Sequence, residues 1–119
     1  TLLGADLLVL PTNWPSHATC AVEHLMPARA FENHVYAMAV NRVGEESGFR
    51  FLGGSSIVAP GGAILARAGG DRPEILYADI DPARARTKRL VRTPGANEMD
   101  RIADRRPAFY RPITDHDGR

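Results

Sequence analysis

Hydrophobic and polar positions repeat along this chain with two different periods, and each period predicts an element. Leu7, Leu8, Val9 and Leu10 form an unbroken apolar run between turn residues, which predicts a short strand buried on both faces. Gly4 before it suits a helix C-terminus, because glycine takes the left-handed cap conformation cheaply. Pro11 has no N–H to donate and is expected to stop the strand. Farther on, Val22, Leu25, Met26, Ala30 and Phe31 fall roughly on one side of a helix, with Glu23, Arg29 and Glu32 on the other. Pro27 must kink that helix or open a second one, and Asn33 or His34 ends it. From Val35 to Asn41 the pattern switches to strict alternation, a strand. Tyr36, Met38 and Val40 point one way; Val35, Ala37 and Ala39 point the other, where small side chains let another layer approach closely.

The second half of the chain is broken up by glycine and proline. Asn41, Arg42, Val43 and Gly44 lead into Glu45, Glu46, Ser47 and Gly48, which read as an acidic loop. Phe49 to Leu52 is extended, and so is Ile57 to Ala59, with Gly53 and Gly54 between them allowing a bulge or a close backbone approach. Pro60, Gly61 and Gly62 mark a turn, so Ala63 to Arg67 becomes the return strand of a hairpin. Ala68 to Pro73 is a second turn. Glu74 to Ile80 alternates again and predicts a strand, with Ile75, Tyr77 and Asp79 on one face and Leu76, Ala78 and Ile80 on the other. Asp81 and Pro82 then open a helix, aspartate as cap and proline at the first helical position. That helix is expected to run to about Val91 and to end at Thr93, Pro94 and Gly95. A short helix is expected from Glu98 to Ala103, and the chain beyond Ile113 is a polar tail.

Composition narrows the function classes. The chain has 119 residues, 44% hydrophobic and 24% charged, which is one domain or part of one, with enough apolar surface for a core. A net charge of +1 gives no global field for nucleic acid or an acidic membrane. The charge is uneven: ten of the 15 Lys and Arg residues, but only five of the 14 acidic ones, lie from Pro82 onward. A solvated basic face accounts for that, a contact surface being the other reading. The single cysteine, Cys20, rules out a disulfide framework or a cysteine-rich zinc site within the chain and fits a reducing, cytoplasmic setting. No apolar stretch approaches bilayer length and no secretory signal is visible. The first residue is Thr, and Leu2 and Leu3 read as the end of a helix, so a fragment or a chain with its start cut away is expected.

The candidate chemistry is sparse. Thr12, Asn13 and Trp14 follow the first strand: a hydroxyl, an amide and a flat ring. In sheets covered by helices, ligands collect at the carboxyl ends of strands, so these residues are pocket candidates. Such a stretch is more commonly a capped turn with the tryptophan in the core. Cys20 and His24 are four apart on one helix face, with His17 and His34 nearby. A catalytic thiolate needs a fixed base and oxyanion donors, usually at a strand-to-helix turn, and Cys20 has no such turn, so it reads as an inert, buried or half-buried thiol. His17, Cys20 and His24 offer three zinc ligands without a fourth. Gly53, Gly54, Ser55 and Ser56 precede a strand, whereas a phosphate loop opens onto a helix. Glu45 and Glu46 read as solvated. The residues supply a pocket lip and no complete catalytic set.

Taken in order, several stretches resemble the carbon–nitrogen hydrolase (nitrilase) superfamily, specifically its C-terminal half. They are Gly4-Ala-Asp-Leu-Leu-Val-Leu-Pro-Thr-Asn-Trp-Pro15, Ala28 to Asn33 leading into Val35-Tyr36, Asn41-Arg-Val-Gly44, Gly54 to Pro60 with its glycine turn, Ala78 to Asp81, and Asp104-Arg-Arg-Pro107 with Tyr110. The resemblance implies an α/β fold, part of a four-layer αββα sandwich. Residues 1–113 would be the C-terminal portion of the domain and 114–119 the polar tail. It implies hydrolysis of a small amide, nitrile or carbamoyl substrate without cofactor or metal, through a covalent Cys-Glu-Lys mechanism. That triad belongs to the part of the family pattern upstream of Thr1, so no catalytic residue is carried over. Thr12, Asn13 and Trp14 transfer as substrate-binding residues, Asn13 hydrogen-bonding and Trp14 walling. Arg105, Arg106 and Tyr110 match a segment with a structural or subunit-contact role. Implied partners are the N-terminal half of the same domain and further copies in a homo-oligomer, in the cytoplasm, with no nucleic acid or membrane. A non-catalytic, self-associating module is one rival. The glutaminase domain of an ammonia-channelling synthetase is another, and the short tail ending at Arg119 counts against it.

Overall fold

The computed structural model describes residues 1–110 and 113 and divides the chain into two compact units, Thr1–Thr87 and Lys88–Arg119. The polar tail expected at 114–119 lies outside the described residues. Both helices and strands are present, so the fold is mixed α/β. Among the described residues no helix is long and apolar enough to cross a membrane.

The first unit is built on a four-stranded sheet in the order β1-β2-β5-β6. Its strands are β1 (Leu7–Thr12), β2 (Tyr36–Asn41), β5 (Ser56–Val58) and β6 (Ile64–Arg67). β1 and β2 run parallel, Leu7 opposite Tyr36 through Thr12 opposite Asn41, and the remaining pairs are antiparallel. The parallel pair needs a crossover. It is a π-helical turn (Ala21–Leu25) followed by α1 (Met26–Asn33). Pro27 falls in the first turn of α1, the second of the two roles open to it, where proline is tolerated. His34 closes α1 in the left-handed conformation, φ 49°.

The core lies where α1 meets one face of β2. Met26, Ala30, Ala37, Ala39 and Val58 form a single cluster, each 3% exposed or less, with Trp14 packed against it. The alternation of β2 therefore does what its sequence implies: its alanine face receives the helix. The opposite face buries Tyr36 against Ala59 and Ala85, with Leu7 beside them. Ala85 belongs to α2 (Pro82–Arg86), whose cap Asp81 accepts a hydrogen bond from Ala83 N–H at 3.0 Å. Farther along that face Val9 and Val40 are just over half exposed.

Five expectations change in this unit. β1 is an edge strand and is not buried on both faces, since Val9 and Leu10 are 54% and 37% exposed. Pro11 stays inside it, because the carbonyls of Asp6 and Thr12 bond towards β2, which turns Pro11 to the open edge where no N–H is required. Glu45 to Gly48 is not a loop. Glu45 and Glu46 end β3 (Val43–Glu46), which pairs with β4 (Phe49–Leu52) in a hairpin, with Ser47 at φ 50° and Gly48 at φ 81° supplying the positive dihedrals of the tight turn. Glu74 to Ile80 forms no strand and has no strand partner among the described residues, and Ile75 and Tyr77 stand 78% and 83% exposed. A strand is defined by its neighbour, which the local alternation does not supply. Last, the helix from Pro82 stops at Arg86, where the Thr87 hydroxyl donates to the Ala83 carbonyl.

The second unit holds β7 (Arg89–Thr93) and β8 (Asn97–Asp100), an antiparallel pair, and a 3₁₀ turn at Pro107–Tyr110. Thr93, Pro94 and Gly95 thus turn a hairpin instead of ending a helix. The helix expected at Glu98 to Ala103 is β8 and a turn capped by Asp100, which accepts from the N–H groups of Ile102 and Ala103.

Candidate functional site

Residues 12–16 leave the carboxyl end of β1 and are held at nearly every step. The Thr12 carbonyl accepts from Arg42 N–H at 3.3 Å. The Trp14 N–H donates to Asn41 Oδ1 at 2.8 Å, and the Trp14 carbonyl accepts from Leu52 N–H at 3.1 Å. Pro15 bridges Phe51, and Ser16 N–H donates to the Arg50 carbonyl at 2.8 Å. The strand end is therefore stitched to β2 on one side and to β4 on the other. Asn13 is the exception. It is exposed, and its carboxamide makes no hydrogen bond to any described residue.

An open trough of about 360 Å³ runs along this end of the parallel pair, lined by Pro11, Thr12, Asn13, Val40, Asn41 and Arg42. Thr12 and Trp14 are half-buried; Trp14 backs onto the α1 core while Asn13 faces the trough. The Arg42 guanidinium stacks over Phe51, 4.9 Å from the ring centre, and pairs with Glu46. That pair uses the cation which would otherwise face the trough.

The sequence candidates thus separate. Thr12, Asn13 and Trp14 stand together as one lip. Thr12 and Asn13 line the trough, while Trp14 packs on the α1 core. Asn41 was missed, since a polar residue closing a strand looks like a turn residue. Its signal is burial, which only the fold reveals. Cys20 is exposed, not buried, because the helical segment after it turns Met26 and Ala30 to the sheet. His24 lies 3.6 Å from Glu23. Among the described residues no three His, Cys, Asp or Glu side chains group as a metal site, so His17, Cys20 and His24 form no zinc centre. The N–H groups of Gly53 and Gly54 are spent on the carbonyls of Arg42 and Gly69 and leave nothing for a phosphate.

In the second unit, the hydrogen bond from Arg89 and a further one from Gly95 N–H hold the Glu98 carboxyl below the usual carboxylate range. Two backbone donors, Ala103 first and then Ile102, do the same for Asp100. These shifts belong to a hairpin brace.

A mixed sheet carrying α1 on one face, with a polar lip at the carboxyl end of its parallel pair, defines an α/β protein, a class in which ligands collect at strand ends. The carbon–nitrogen hydrolase family model matches residues 1–90, and the chain belongs to that family. It is 36% identical over 110 residues to a nitrilase of Pyrococcus abyssi, covering 92% of this chain and 38% of that protein. It is 33% identical over 85 residues to the omega-amidase YafV of Escherichia coli, 71% of this chain and 33% of the relative. Among solved structures it is similar to the NitN amidase of Nesterenkonia sp. AN1, with 31% identity and a TM-score of 0.73, over 94% of this chain and 37% of that one. One structure of the same amidase carries the acetamide moiety of fluoroacetamide covalently on its active-site cysteine. The chain spans a third to two-fifths of the length of these relatives.

Proposed function

We propose that residues 1–113 are the C-terminal portion of a carbon–nitrogen hydrolase domain, and that Thr12, Asn13 and Trp14 form one wall of its substrate cleft. The observation that carries this reading is Asn13: an unbonded carboxamide held at the carboxyl end of β1 between residues fixed on both sides. A carboxamide both donates and accepts, so it complements a small amide, nitrile or carbamoyl group at its C=O and N–H ends alike. Trp14 supplies a flat apolar boundary.

The reaction itself falls to a Cys-Glu-Lys triad outside this chain. A thiolate adds to the amide carbon, the glutamate passes a proton to the departing nitrogen, and ammonia or an amine leaves. The lysine and neighbouring N–H donors hold the negative oxygen meanwhile. Water, its proton taken by the same glutamate, then cleaves the thioester to the acid and the free thiol. None of these steps needs a cofactor. The half-exposed Val9 and Val40, the open β1 edge and the unpaired 74–80 segment support pairing with the rest of the domain and assembly into a homo-oligomer. The lone thiol supports a cytoplasmic setting.

The test is a graft. Residues 4–110 replace the matching stretch of the Nesterenkonia amidase, and hydrolysis of butyramide is followed. Asn13→Ala in the graft should raise KM about tenfold with a smaller change in kcat, the mark of lost ground-state binding. An unchanged KM refutes the cleft wall. The 119-residue chain alone should not turn over; activity abolished by Cys20→Ala would overturn the placement of the triad.

A further inference from the structure

We infer that Asn41 is the positioning residue of the lip. It closes β2, is 8% exposed, and uses its carboxamide at both ends. Oδ1 accepts from Trp14 N–H at 2.8 Å, and Nδ2 donates to the Gly53 carbonyl at 2.6 Å. Its own backbone is held in turn. Asn41 N–H donates to Ser55 Oγ at 2.9 Å, and the Ser55 hydroxyl returns a bond to the Asn41 carbonyl at 3.2 Å. One side chain thus ties the end of β1 to the turn that leads into β5.

The chemistry requires asparagine here. A backbone N–H only donates and a carbonyl only accepts, so the two partners fix which way the carboxamide lies. Aspartate keeps the acceptor but sets a second carboxylate oxygen against the Gly53 carbonyl. Alanine supplies neither bond. Glutamine is one methylene too long for a buried span already closed at 2.6 and 2.8 Å. Asn13 is joined directly to the anchored Trp14 amide, so the backbone position from which its carboxamide departs is held through Asn41. The inference deepens the cleft reading and rests on it only for what the lip binds, not for how the lip is held.

Trp14 is the sole tryptophan, so its emission reports on the lip. In the 119-residue chain, Asn41→Ala should shift native-state Trp14 emission and speed exchange of the Trp14 backbone amide about tenfold, as loss of one net hydrogen bond gives. Asn41→Asp is the diagnostic variant. At neutral pH it should shift the emission, because its carboxylate faces the Gly53 carbonyl, while the acceptor it keeps leaves Trp14 amide exchange slower than in Asn41→Ala. As the pH falls and the buried carboxyl takes up a proton, its O–H regains the bond to Gly53 and the wild-type signals should return. The charged groups lining the adjoining hollow, Arg42, Arg72 and Glu74, are common to all variants, and the wild-type titration removes their share. Unchanged Trp14 emission and exchange in both variants, whatever the unfolding midpoint does, would overturn the assignment. If Asn41→Ala does not fold, absence of the low-pH recovery in Asn41→Asp overturns it alone. No turnover is measured. Should the grafted Asn13→Ala show an unchanged KM while these spectra behave as expected, the cleft wall falls and the role of Asn41 stands.

Discussion

Ala37→Leu tests how closely α1 lies on the sheet. Ala37 and Ala30 are 0% exposed and Ala39 is 1% exposed, and all three stop at Cβ in one cluster with Met26 and Val58. Leucine adds three carbons. With room for them, burial would stabilise by roughly 0.8 kcal/mol per carbon, a little over 2 kcal/mol. The structure leaves no such room, because the helix has come down on alanines from both sides. The strain of overpacking then exceeds the transfer gain, with a net cost of about 1–3 kcal/mol. For a chain of this size the midpoint of thermal unfolding should fall by roughly 5–15 °C. Urea unfolding followed by Trp14 emission is the direct assay, since Trp14 packs on the same cluster. Ala28→Leu is the control: it sits on the exposed side of α1 and should change stability by less than about 0.5 kcal/mol. An Ala37→Leu chain as stable as the wild type, with the same urea slope, would mean that α1 does not close on β2.

Two further outcomes follow from the geometry. Glu98 and Asp100 have folded carboxyls held below their ordinary range, so the stability they lend the β7–β8 hairpin is full above the ordinary carboxylate range and is lost as the pH falls through and below it. NMR shifts of Gly95, Ile102 and Ala103 amides against pH report that loss, and Glu98→Gln should remove the Gly95 response while Ile102 and Ala103 still titrate; an unaltered Gly95 curve refutes the pairing. Pro11→Ala puts a third backbone donor on the open β1 edge beside Leu7 and Val9. It should raise concentration-dependent association in sedimentation, and identical profiles would show that this edge is not what limits self-pairing.

The one-residue contrast between faces in Val35 to Asn41 was legible in the sequence, and so were the hairpin turning at Pro60, Gly61 and Gly62 and the Asp81–Pro82 helix start. Each depends on residues within a few positions of one another: alternation, a glycine turn, a cap. The lip itself was legible as a place, because Pro11 is followed by residues that cannot continue an apolar run. What the lip is made of was not. Trp14 packs on the core because α1 returns beneath it, and Asn41 is tied at both ends because Trp14 and Gly53, 27 and 12 residues away from it, come within hydrogen-bond reach. Glu74 to Ile80 has a strand's alternation and no strand partner among the described residues, while Arg89 to Thr93 sits where a helix was expected and pairs with β8. Local pattern determines which faces of a segment are apolar. Which neighbour meets that face, and which buried polar group must then find a partner, depends on chain brought in from a distance, and only the folded structure decides it.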